Sequence, residues 1–421
     1  MLNFTKIETA GNLASTYAES KSMTTPTTSP SVLDHELQPY FKELARFEST
    51  SECENSDLFR RLKPEVDRIL SSVEQENFAI GEPSRGGSSI HATSWNLERG
   101  SHLDGIIREL REHPMMRGSD VLLLPEVDYG MARAANRYVA RELAVALNLN
   151  YVFAPCYLAL NKGSGAEADA KGDNTLALHG NALMSRFPLL RSHSLALPNG
   201  KDKMRGREKR LGSQRAVIAD VDHPLGMFRA VTLHVDAHSS QSHRHLQMKL
   251  LLDHIDRLDP ALPVVIGGDW NTTTHNSSRA LYSIVGFCRR VLMGVRNAVA
   301  NHYPYPDRWF ERHLFRELET RGYNYKDLNV PGECTLHYSI RDLAANRNMG
   351  EWVPQWCFWF INWALEPQGG ICSLKLDWFT GKGIRVDPND PDQGPEVLSD
   401  FRDREIPLSD HDPITLGFVI E

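Results

Sequence analysis

Acidic and amide side chains follow short apolar runs at several points of this 421-residue chain. The clearest example is PVVIGGDWN at residues 263–271, where Asp269 and Asn271 come directly after a β-branched run and two glycines. Such a run predicts a buried strand, and the glycines allow the backbone to turn sharply at its end. A carboxylate in this position either caps a following helix or belongs to a site at the strand end.

The same arrangement recurs from residue 96 to residue 411, which is difficult to explain by helix capping alone. The further side chains that follow apolar runs are Asn96, Glu98, Glu126, His234, Asp377, Asp410 and His411. Carboxylates gathered at one sheet edge repel one another unless a positive charge lies among them. Carboxylate and amide oxygens suit Mg²⁺ or Mn²⁺. The set therefore predicts a site for one of these cations.

Zinc is the alternative ion, because His234, His238, His243 and His245 lie close together in the sequence. Structural zinc sites usually contain cysteine ligands as well. The six cysteines are scattered and form no C-x-x-C pair, which is typical of free thiols in a reducing compartment. The histidine group is therefore a weaker metal candidate than the carboxylates.

Hydrophobic periodicity indicates the elements that must position these residues. Strands are predicted at residues 88–96, 120–126, 151–155, 179–185, 191–197, 214–221, 227–234, 263–269, 374–379 and 413–419. Helices are predicted at residues 33–47, 58–73, 103–110, 133–147 and 241–258, and residues 277–321 are mostly helical. The strands between residues 179 and 234 should pair antiparallel, and residues 323–362 form an irregular aromatic segment.

Composition divides the chain into a tail, an extension and a domain. Residues 1–31 are polar and small, which predicts a flexible tail. Residues 32–87 form a helical extension that ends in a Gly- and Pro-containing linker at 81–87, and residues 88–421 carry the motifs. No apolar run approaches the ~20 residues of a membrane span and no signal pattern is evident, so a cytoplasmic location is predicted.

The motifs are, in order, WNLE at 95–98, PE at 125–126, HGNALMSRFP at 179–188, TLH at 232–234, GDWN at 268–271, LDWF at 376–379 and SDHDP at 409–413. This order resembles the endonuclease/exonuclease/phosphatase superfamily, which includes DNase I-like nucleases, abasic-site endonucleases, sphingomyelinases and inositol-polyphosphate phosphatases. The resemblance covers about residues 88–420. It implies an α/β fold of two mixed β-sheets packed as a sandwich and flanked by helices, with the active site at one edge between the sheets. The helical extension would precede this fold.

The resemblance also implies catalytic roles. Asp269 would orient or deprotonate the attacking water, and Asn271 would orient the phosphate. Asp377 and His411 would form a carboxylate–histidine pair. His234 would contact the phosphate, as in the nuclease and sphingomyelinase branches; its alternative is a buried core histidine.

For the metal, the resemblance implies that Glu126 and Asn96 bind the cation. Asp410 would be a further metal or water ligand. Glu98 would act through water, and its alternative is a residue that merely starts a helix.

A phosphodiester resists attack because its negative oxygens repel the nucleophile, so a catalyst must neutralise charge and hold water in line. His411, kept protonated by Asp377, and His234 are expected to be positively charged donors. We therefore predict a divalent-metal-dependent hydrolase of phosphate esters, either a phosphodiesterase or a phosphatase. The alternatives are a nuclease acting on DNA or RNA, a lipid phosphodiesterase of sphingomyelinase type, and a non-catalytic binding module with the same fold.

Two segments bear on the substrate. Lys209, Arg210 and Arg215 belong to a basic stretch at 201–215 that could grip a phosphate-rich substrate or be a solvated loop. The net charge of −7 gives no general attraction to polyanions, so a nucleic-acid surface would have to be local. Residues 303–363 are rich in aromatic residues that could stack on bases, hold a lipid tail or form core. The expected partner is a phosphate ester, with nucleic acid or a lipid headgroup as candidates, and no obligate protein partner is evident.

Overall fold

The computed structural model describes residues 31–79, 88–272, 276, 280–341, 357–386 and 394–421. Residues Val32–Glu421 form one compact unit. The predicted flexible tail, apart from its last residue, and the predicted linker at 81–87 lie outside the described residues. The extension that follows the tail is described to residue 79.

Strands account for most of the centre of the molecule. They are β1 (Glu74–Glu76), β2 (Ile90–Ser94), β3 (Val121–Tyr129), β4 (Asn150–Ala159), β5 (Leu178–Ser185), β6 (Leu189–Ala196), β7 (Arg210–Gly212), β8 (Arg215–Val221), β9 (Phe228–His234), β10 (Val264–Asp269), β11 (Leu336–Ser339), β12 (Ile371–Leu374), β13 (Asp377–Lys382), β14 (Ile384–Arg385), β15 (Glu396–Val397), β16 (Arg402–Asp403), β17 (Ile406–Pro407) and β18 (Ile414–Ile420). Each predicted strand has a counterpart here, with the boundary changes given below.

Fourteen of these strands build a nine-stranded large sheet and a five-stranded small sheet, and the other four form the two-stranded pairs β11-β12 and β16-β17. The large sheet has the order β1-β4-β5-β3-β2-β18-β14, with β7 beside β4 and β15 beside β18. The small sheet has the order β13-β10-β9-β8-β6. Both are mixed, because β2 and β3 are parallel, as are β9 and β10, while the other neighbours are antiparallel. The predicted fold of two mixed sheets is therefore confirmed.

The two sheets pack face to face because their strands are apolar on both sides. In β3, Leu123 points into the core between the sheets, whereas Leu122 and Leu124 point to the outer face of the large sheet. In β10, Val265 points inward and Ile266 outward. The period of two along a strand explains why these runs are continuously apolar rather than alternating.

Helices cover both outer faces. They are α1 (Phe41–Leu44), α2 (Thr50–Asn55), α3 (Asp57–Ser71), α4 (Leu103–Glu112), α5 (Val139–Leu147), α6 (Gln241–Ile255), α7 (Ala280–Leu292), α8 (Val295–Asn297), α9 (Pro306–Trp309), α10 (Arg312–Thr320) and α11 (Cys357–Leu365), with a π-helix at Ala298–His302. Short 3-10 turns lie at Gln38–Tyr40, Ala132–Ala134, Gly165–Asp169, Lys203–Arg205 and Glu366–Gln368. None of the helices within the described ranges is long and apolar enough to cross a membrane.

The predicted helix at 33–47 is shorter than expected. Only Phe41–Leu44 is α-helical, after a 3-10 turn that contains Pro39. Proline lacks an N–H, so it is favoured in the first turn of a helix and disfavoured in the interior of one. Leu33 and Leu37 are nevertheless buried together with Phe41 and Leu44, so the apolar spacing identified the buried face correctly. The predicted helix at 58–73 is confirmed as α3.

Two strand predictions need correction. The predicted strand at 374–379 is two strands, because the carbonyls of Lys375 and Leu376 accept hydrogen bonds from Thr272 Oγ1 and the Trp270 amide instead of a ladder partner. The predicted antiparallel run between residues 179 and 234 holds for β6, β8 and β9, whereas β5 belongs to the large sheet. The predicted helix at 133–147 begins only at Val139.

The aromatic segment is less irregular and less buried than expected. It contains β11 and most of α11, while residues 342–356 lie outside the described part. Trp359 and Trp363 on α11 are 66% and 59% exposed, so the core interpretation is wrong for these side chains. The helix buries its other face through Ala364 and Leu365.

Candidate active site

The site begins where three neighbouring strands of the small sheet end. Asp269 at the end of β10 pairs in register with His234 at the end of β9 and with Asp377 at the start of β13. Because β9 and β10 are parallel and β13 is antiparallel to them, these three residues share one sheet edge. The expectation that side chains at strand ends converge is met here.

Asp269 is the most connected side chain of the site, and it is 2% exposed. Its Oδ2 atom accepts hydrogen bonds from Asn96 Nδ2 and from Asn271 Nδ2, each at 3.2 Å. The same atom lies 3.5 Å from His234 Nε2 and 3.7 Å from His411 Nε2. The Oδ1 atom accepts from the Asn271 amide at 2.9 Å. This carboxylate therefore faces both histidines and is oriented by both asparagines.

The glycine before Asp269 is needed for close strand packing. Gly268 has φ +141°, and a Cβ there would lie 1.9 Å from the Leu233 carbonyl oxygen. Asn271 adopts a left-handed conformation, φ 51°, which asparagine tolerates better than most residues. The GDWN motif therefore provides the backbone conformations that this turn requires, in addition to the side chains of the site.

Glu126 reaches the site through a β-bulge. The register of β3 against β5 shifts between Leu124 and Val127, and Glu126 itself has φ 54°. Bulges redirect a side chain out of the regular alternation. Asn181 Oδ1 accepts from the Glu126 amide at 3.3 Å and so compensates for the disrupted ladder. Glu126 Oε1 then lies 3.3 Å from Asn96 Nδ2.

Arg99 is a neighbour of Glu126 that the sequence did not single out. Its guanidinium lies 3.6 Å from Glu126 Oε2 and 2.6 Å from Glu167 Oε1. Burial favours the protonated Glu126, but Arg99, with His234 next, outweighs it and holds the pKa of Glu126 well below its usual range. The sequence feature that could have identified Arg99 is its position directly after the WNLE motif. In the structure, both Glu98 and Arg99 have positive φ.

Asp377 and His411 form the predicted pair. His411 Nδ1 lies 2.7 Å from Asp377 Oδ2, and the same oxygen accepts from Thr335 Oγ1 at 2.6 Å. Burial alone would lower the pKa of His411, but Asp377 and Asp269 outweigh it and raise that pKa well above 6.5. Thr335 carries no motif that could have identified it from the sequence.

The charge of His234 differs from the one that the sequence suggested. It is 7% exposed, and burial lowers its pKa to about 4 despite the nearby Glu126 carboxylate. The imidazole is therefore neutral near pH 7 in this structure, in contrast to the positively charged donor that the sequence suggested. Its Nε2 atom still faces Asp269.

Glu98 and Asp410 meet at the rim. The Asp410 amide donates to Glu98 Oε2 at 3.0 Å. Burial and the Asp410 carboxylate raise the pKa of Glu98 to about 8. Ser409 Oγ donates to the Asn96 carbonyl at 2.7 Å, which ties the SDHDP loop to the WNLE loop.

The central side chains fit a divalent cation. One ligand atom from each of Glu126, His234 and Asp269 lies within 4.8 Å of the others, and so does one from each of Asp269, Asp377 and His411. Among the described residues, Asp377 Oδ1 is buried without a hydrogen-bond partner. Burial and neighbouring carboxylates raise the pKa of Asp269 to about 8, and a cation would relieve this crowding.

The alternative zinc group is dispersed. His243 Nε2 lies 2.9 Å from the Pro198 carbonyl, and His245 Nε2 lies 3.3 Å from Glu317. No metal-ligand group found within the described ranges contains them. A carboxylate-rich magnesium or manganese site therefore agrees better with the geometry.

The basic residues expected to bind substrate have contacts within the chain. Lys209 Nζ donates to the Phe47 carbonyl at 2.6 Å, and Arg210 pairs with Glu208 and lies over an aromatic ring. Arg215 donates to a serine hydroxyl of β6 at 2.9 Å. The stretch is not one loop, since it contains a 3-10 turn and β7. Substrate binding by these residues stays a prediction.

Structural comparison found several related folds. An endonuclease/exonuclease/phosphatase from Beutenbergia cavernae is 14% identical, with 79% of this chain and 72% of that chain covered and a TM-score of 0.44. The human Nocturnin catalytic domain with bound sulfate is 14% identical, with coverage of 83% and 98% and a TM-score of 0.42. A 3′ phosphatase from Neisseria bound to a product DNA hairpin is 16% identical, with coverage of 77% and 98% and a TM-score of 0.43.

No curated protein matches the chain. A family model described as the Endonuclease/Exonuclease/phosphatase family matches residues 93–317, which is more than half of the 421 residues. The matched region includes Asn96, Glu126, His234 and Asp269. The chain therefore belongs to the endonuclease/exonuclease/phosphatase family, whose members are hydrolases acting on phosphate esters.

Proposed function

We propose that this protein is a divalent-metal-dependent phosphodiesterase or phosphatase in which Asp269 activates the attacking water. The observation that supports the proposal is the convergence on Asp269 Oδ2, which lies 3.5 Å from His234 Nε2 and 3.7 Å from His411 Nε2. A carboxylate base, a positively charged donor and a cation-binding carboxylate at one sheet edge are what in-line phosphoryl chemistry needs.

Asp269 would take the proton of the water. The two asparagines that donate to its Oδ2 atom, Asn96 and Asn271, fix the plane of the carboxylate. Burial raises its pKa to about 8, so its ionised form is a stronger base than an ordinary carboxylate, and a bound cation would favour that ionised form at neutral pH. Glu126, with Asn96 and Asp269 beside it, would hold Mg²⁺ or Mn²⁺, which when bound supplies positive charge for the phosphoryl and leaving oxygens.

His411 would stabilise the charge that develops on the phosphate. Its Nδ1 atom is held by Asp377, which directs Nε2 into the site. A protonated imidazole there donates a charge-assisted hydrogen bond to a phosphoryl oxygen. His234 would donate a second hydrogen bond, and Asp410 and Glu98 would contribute through water.

We also propose residues 88–421 as the catalytic domain, residues 32–87 as its helical extension and the cytoplasm as the location. The cysteines support a reducing compartment, since Cys53, Cys156, Cys288, Cys334 and Cys372 are all free.

The first prediction concerns activity. The purified protein should hydrolyse a simple aryl phosphodiester or phosphomonoester with Mg²⁺ or Mn²⁺, and EDTA should stop the reaction. Asp269→Asn and His411→Ala should each lower kcat by at least about a thousandfold, because they remove the base and the charged donor. Asp400→Asn, at an exposed acid, is the matched control. Full activity in either site variant, with the fold intact, would exclude the mechanism.

A substrate panel separates the remaining alternatives. DNA, RNA, nucleotides, sphingomyelin and inositol phosphates should be assayed with Mg²⁺ and with Mn²⁺. Preferred cleavage of DNA or RNA identifies a nuclease, and preferred cleavage of sphingomyelin identifies a lipid phosphodiesterase. If no phosphate ester is turned over, the binding-module alternative replaces the enzyme.

A further inference from the structure

A network of buried ion pairs leads away from the Glu126 carboxylate. Arg99 Nη1 lies 3.6 Å from Glu126 Oε2, and Arg99 Nε lies 2.6 Å from Glu167 Oε1. The other oxygen of Glu167 lies 3.0 Å from Arg133, whose guanidinium also contacts Asp128. The side chains of Arg99, Glu167 and Arg133 are only 22%, 18% and 2% exposed. None of these three takes part in the reaction proposed above.

The charges of this network balance without Glu126. Three arginines and three carboxylates form its ion pairs: Arg99, Arg133, Arg210, Asp128, Glu167 and Glu208. A buried charge is tolerated when an opposite charge lies beside it. The Glu126 carboxylate is therefore one negative charge in excess at the edge of the network, which a bound cation would balance.

Glu167 is held in one orientation by its own loop. It lies in the 3-10 turn Gly165–Asp169, and the Ser164 amide donates to Glu167 Oε2 at 3.4 Å. Gly163 leaves the space for this carboxylate, since a Cβ there would lie 2.3 Å from Glu167 Oε2. Because Oε2 is held by Ser164 and Arg133, Oε1 faces Arg99.

An unusual backbone brings Arg99 between the two carboxylates. Glu98, Arg99 and Gly100 have φ values of 43°, 70° and 73°. Consecutive left-handed residues are rare because the conformation strains every residue except glycine. Arg99 also forms a parallel β-bridge with Val127, the residue after Glu126. Backbone strain of this kind persists where other contacts hold it, and such places cluster at functional sites.

Arg99 is shared unequally between its two carboxylates. Its contact with Glu167 is the close one, whereas 3.6 Å from Glu126 Oε2 is beyond hydrogen-bond distance. A guanidinium bonded directly to Glu126 would occupy the oxygens that a cation needs and would repel that cation at close range. The observed position leaves the Glu126 oxygens open.

We propose, resting on the proposed function, that Glu167 is a positioning residue: it holds Arg99 away from Glu126 and so keeps the Glu126 carboxylate available to the divalent cation. Removal of Glu167 should therefore weaken cation binding, because the released guanidinium pairs with Glu126. Removal of Arg99 should not weaken it. A network that only supported the fold, or an Arg99 that oriented Glu126, would give weaker cation binding in both cases.

The test is calorimetric titration of the full chain with MnCl₂ in the absence of substrate. Glu167→Gln should weaken Mn²⁺ binding by at least about tenfold. Arg99→Gln should bind Mn²⁺ at least as tightly as the wild type, since a positive neighbour of the ligand is gone. Arg99→Gln/Glu167→Gln, which removes one charge of each sign, should recover at least the wild-type affinity.

A matched ion pair outside the site provides the controls. Arg137 is 30% exposed and also bridges two carboxylates, Asp104 at 2.8 Å and Glu142 at 2.7 Å. Arg137→Gln and Glu142→Gln should leave Mn²⁺ affinity unchanged. Glu126→Gln should weaken Mn²⁺ binding, which shows that the titration reports this site.

The outcomes separate this role of Glu167 from the reaction itself. Unchanged Mn²⁺ affinity in Glu167→Gln, or a loss that Arg99→Gln does not reverse, would overturn the role even if the wild type hydrolyses an aryl phosphodiester. The expected affinities in a wild type that hydrolyses no phosphate ester would support the role of Glu167 and contradict the proposed function. Mn²⁺ binding that Glu126→Gln leaves intact would contradict both.

Discussion

The two histidines beside Asp269 hold opposite protonation states although they lie in one site. His411 is protonated because Asp377 and Asp269 outweigh the effect of burial on its pKa. His234 has Glu126 beside it, but burial dominates and lowers its pKa to about 4. The site therefore combines one charged and one neutral imidazole near pH 7, which limits the positive charge that must be buried before substrate binds.

The second prediction concerns stability at acid pH. The folded-state pKa of His234 is about 4, against 6.5 for an ordinary histidine. Between these values the unfolded chain binds a proton that the folded chain does not, so the free energy of unfolding falls as pH falls. His234→Gln should remove this loss, about 3 kcal/mol across the window. Urea unfolding at roughly unit intervals of pH, at about pH 4.5, 5.5, 6.5 and 7.5, measures this change in the free energy of unfolding.

His411→Gln should act in the opposite sense. Because its pKa is raised, its stabilising contribution is complete below pH 6.5 and is lost as pH rises through the folded-state value. The difference between wild type and this variant should therefore shrink towards alkaline pH. His313→Gln, at an exposed histidine, is the control. Parallel pH profiles for the His234 and His411 variants would contradict the assigned protonation states.

At the scale of elements, the bulge in β3 is what brings Glu126 to the site. In a regular strand, Glu126 would point to the same face as Leu124, which is the outer face of the large sheet. The extra residue and the positive φ break that alternation. Asn181 holds the bulge by accepting from the Glu126 amide and donating to the Arg215 carbonyl at 2.7 Å.

The third prediction follows from this support. Asn181→Leu should raise the Mg²⁺ concentration needed for half-maximal activity by about 10–100-fold, because the carboxylate is no longer held in place. Asn181→Asp keeps the acceptor for the Glu126 amide and should show a smaller effect. Asn301→Leu, at an exposed asparagine, controls for the substitution itself. An unchanged metal requirement in Asn181→Leu, with native stability, would show that the bulge does not depend on this side chain.

The sequence predicted the residues at the strand ends better than the contacts between residues of different segments. Asp269 was identifiable because a β-branched run, two glycines and an acid are all local features. Arg99 and Thr335 were not identified, because each acts on a residue of another segment. Thr335 holds Asp377 across 42 residues of chain, and no local pattern records that contact.

At the scale of the whole molecule, the N-terminal extension is part of the structure that supports the site. Leu44, Phe59 and Ile69 belong to the same buried core as Leu122 and Leu124 of β3. The short strand β1 also pairs with β4 at the edge of the large sheet. The extension therefore covers the outer face of the sheet that carries Glu126.

The fourth prediction tests this coupling. Leu44→Ala should lower the free energy of unfolding by about 2–5 kcal/mol, because Leu44 is fully buried in the shared core. Leu250→Ala makes the same change at a side chain that is 37% exposed and should have a much smaller effect. Urea unfolding followed by far-UV and near-UV circular dichroism should give one coincident transition in both variants. Separate transitions would mean that the extension folds independently of residues 88–421.

The sequence by itself determined the family, the strands whose ends carry chemistry and most of the side chains that could act there. These features depend on residue type, spacing and the period of two in a strand, which are local properties. The tertiary structure alone decided which of these side chains meet. Asn96 and Asp269 are 173 residues apart in the chain, yet their side chains lie within 3.2 Å.

The tertiary structure also decided the protonation state of the site histidines and which basic residues make contacts within the chain. A pKa depends on burial and on every neighbouring charge, so two histidines of the same type can differ in protonation. The same reasoning explains the basic residues: Lys209 and Arg210 are engaged within the chain, whereas Arg312 and Arg316 are exposed on α10. Residue type was visible in the sequence, but its surroundings were not, because packing brings distant segments together.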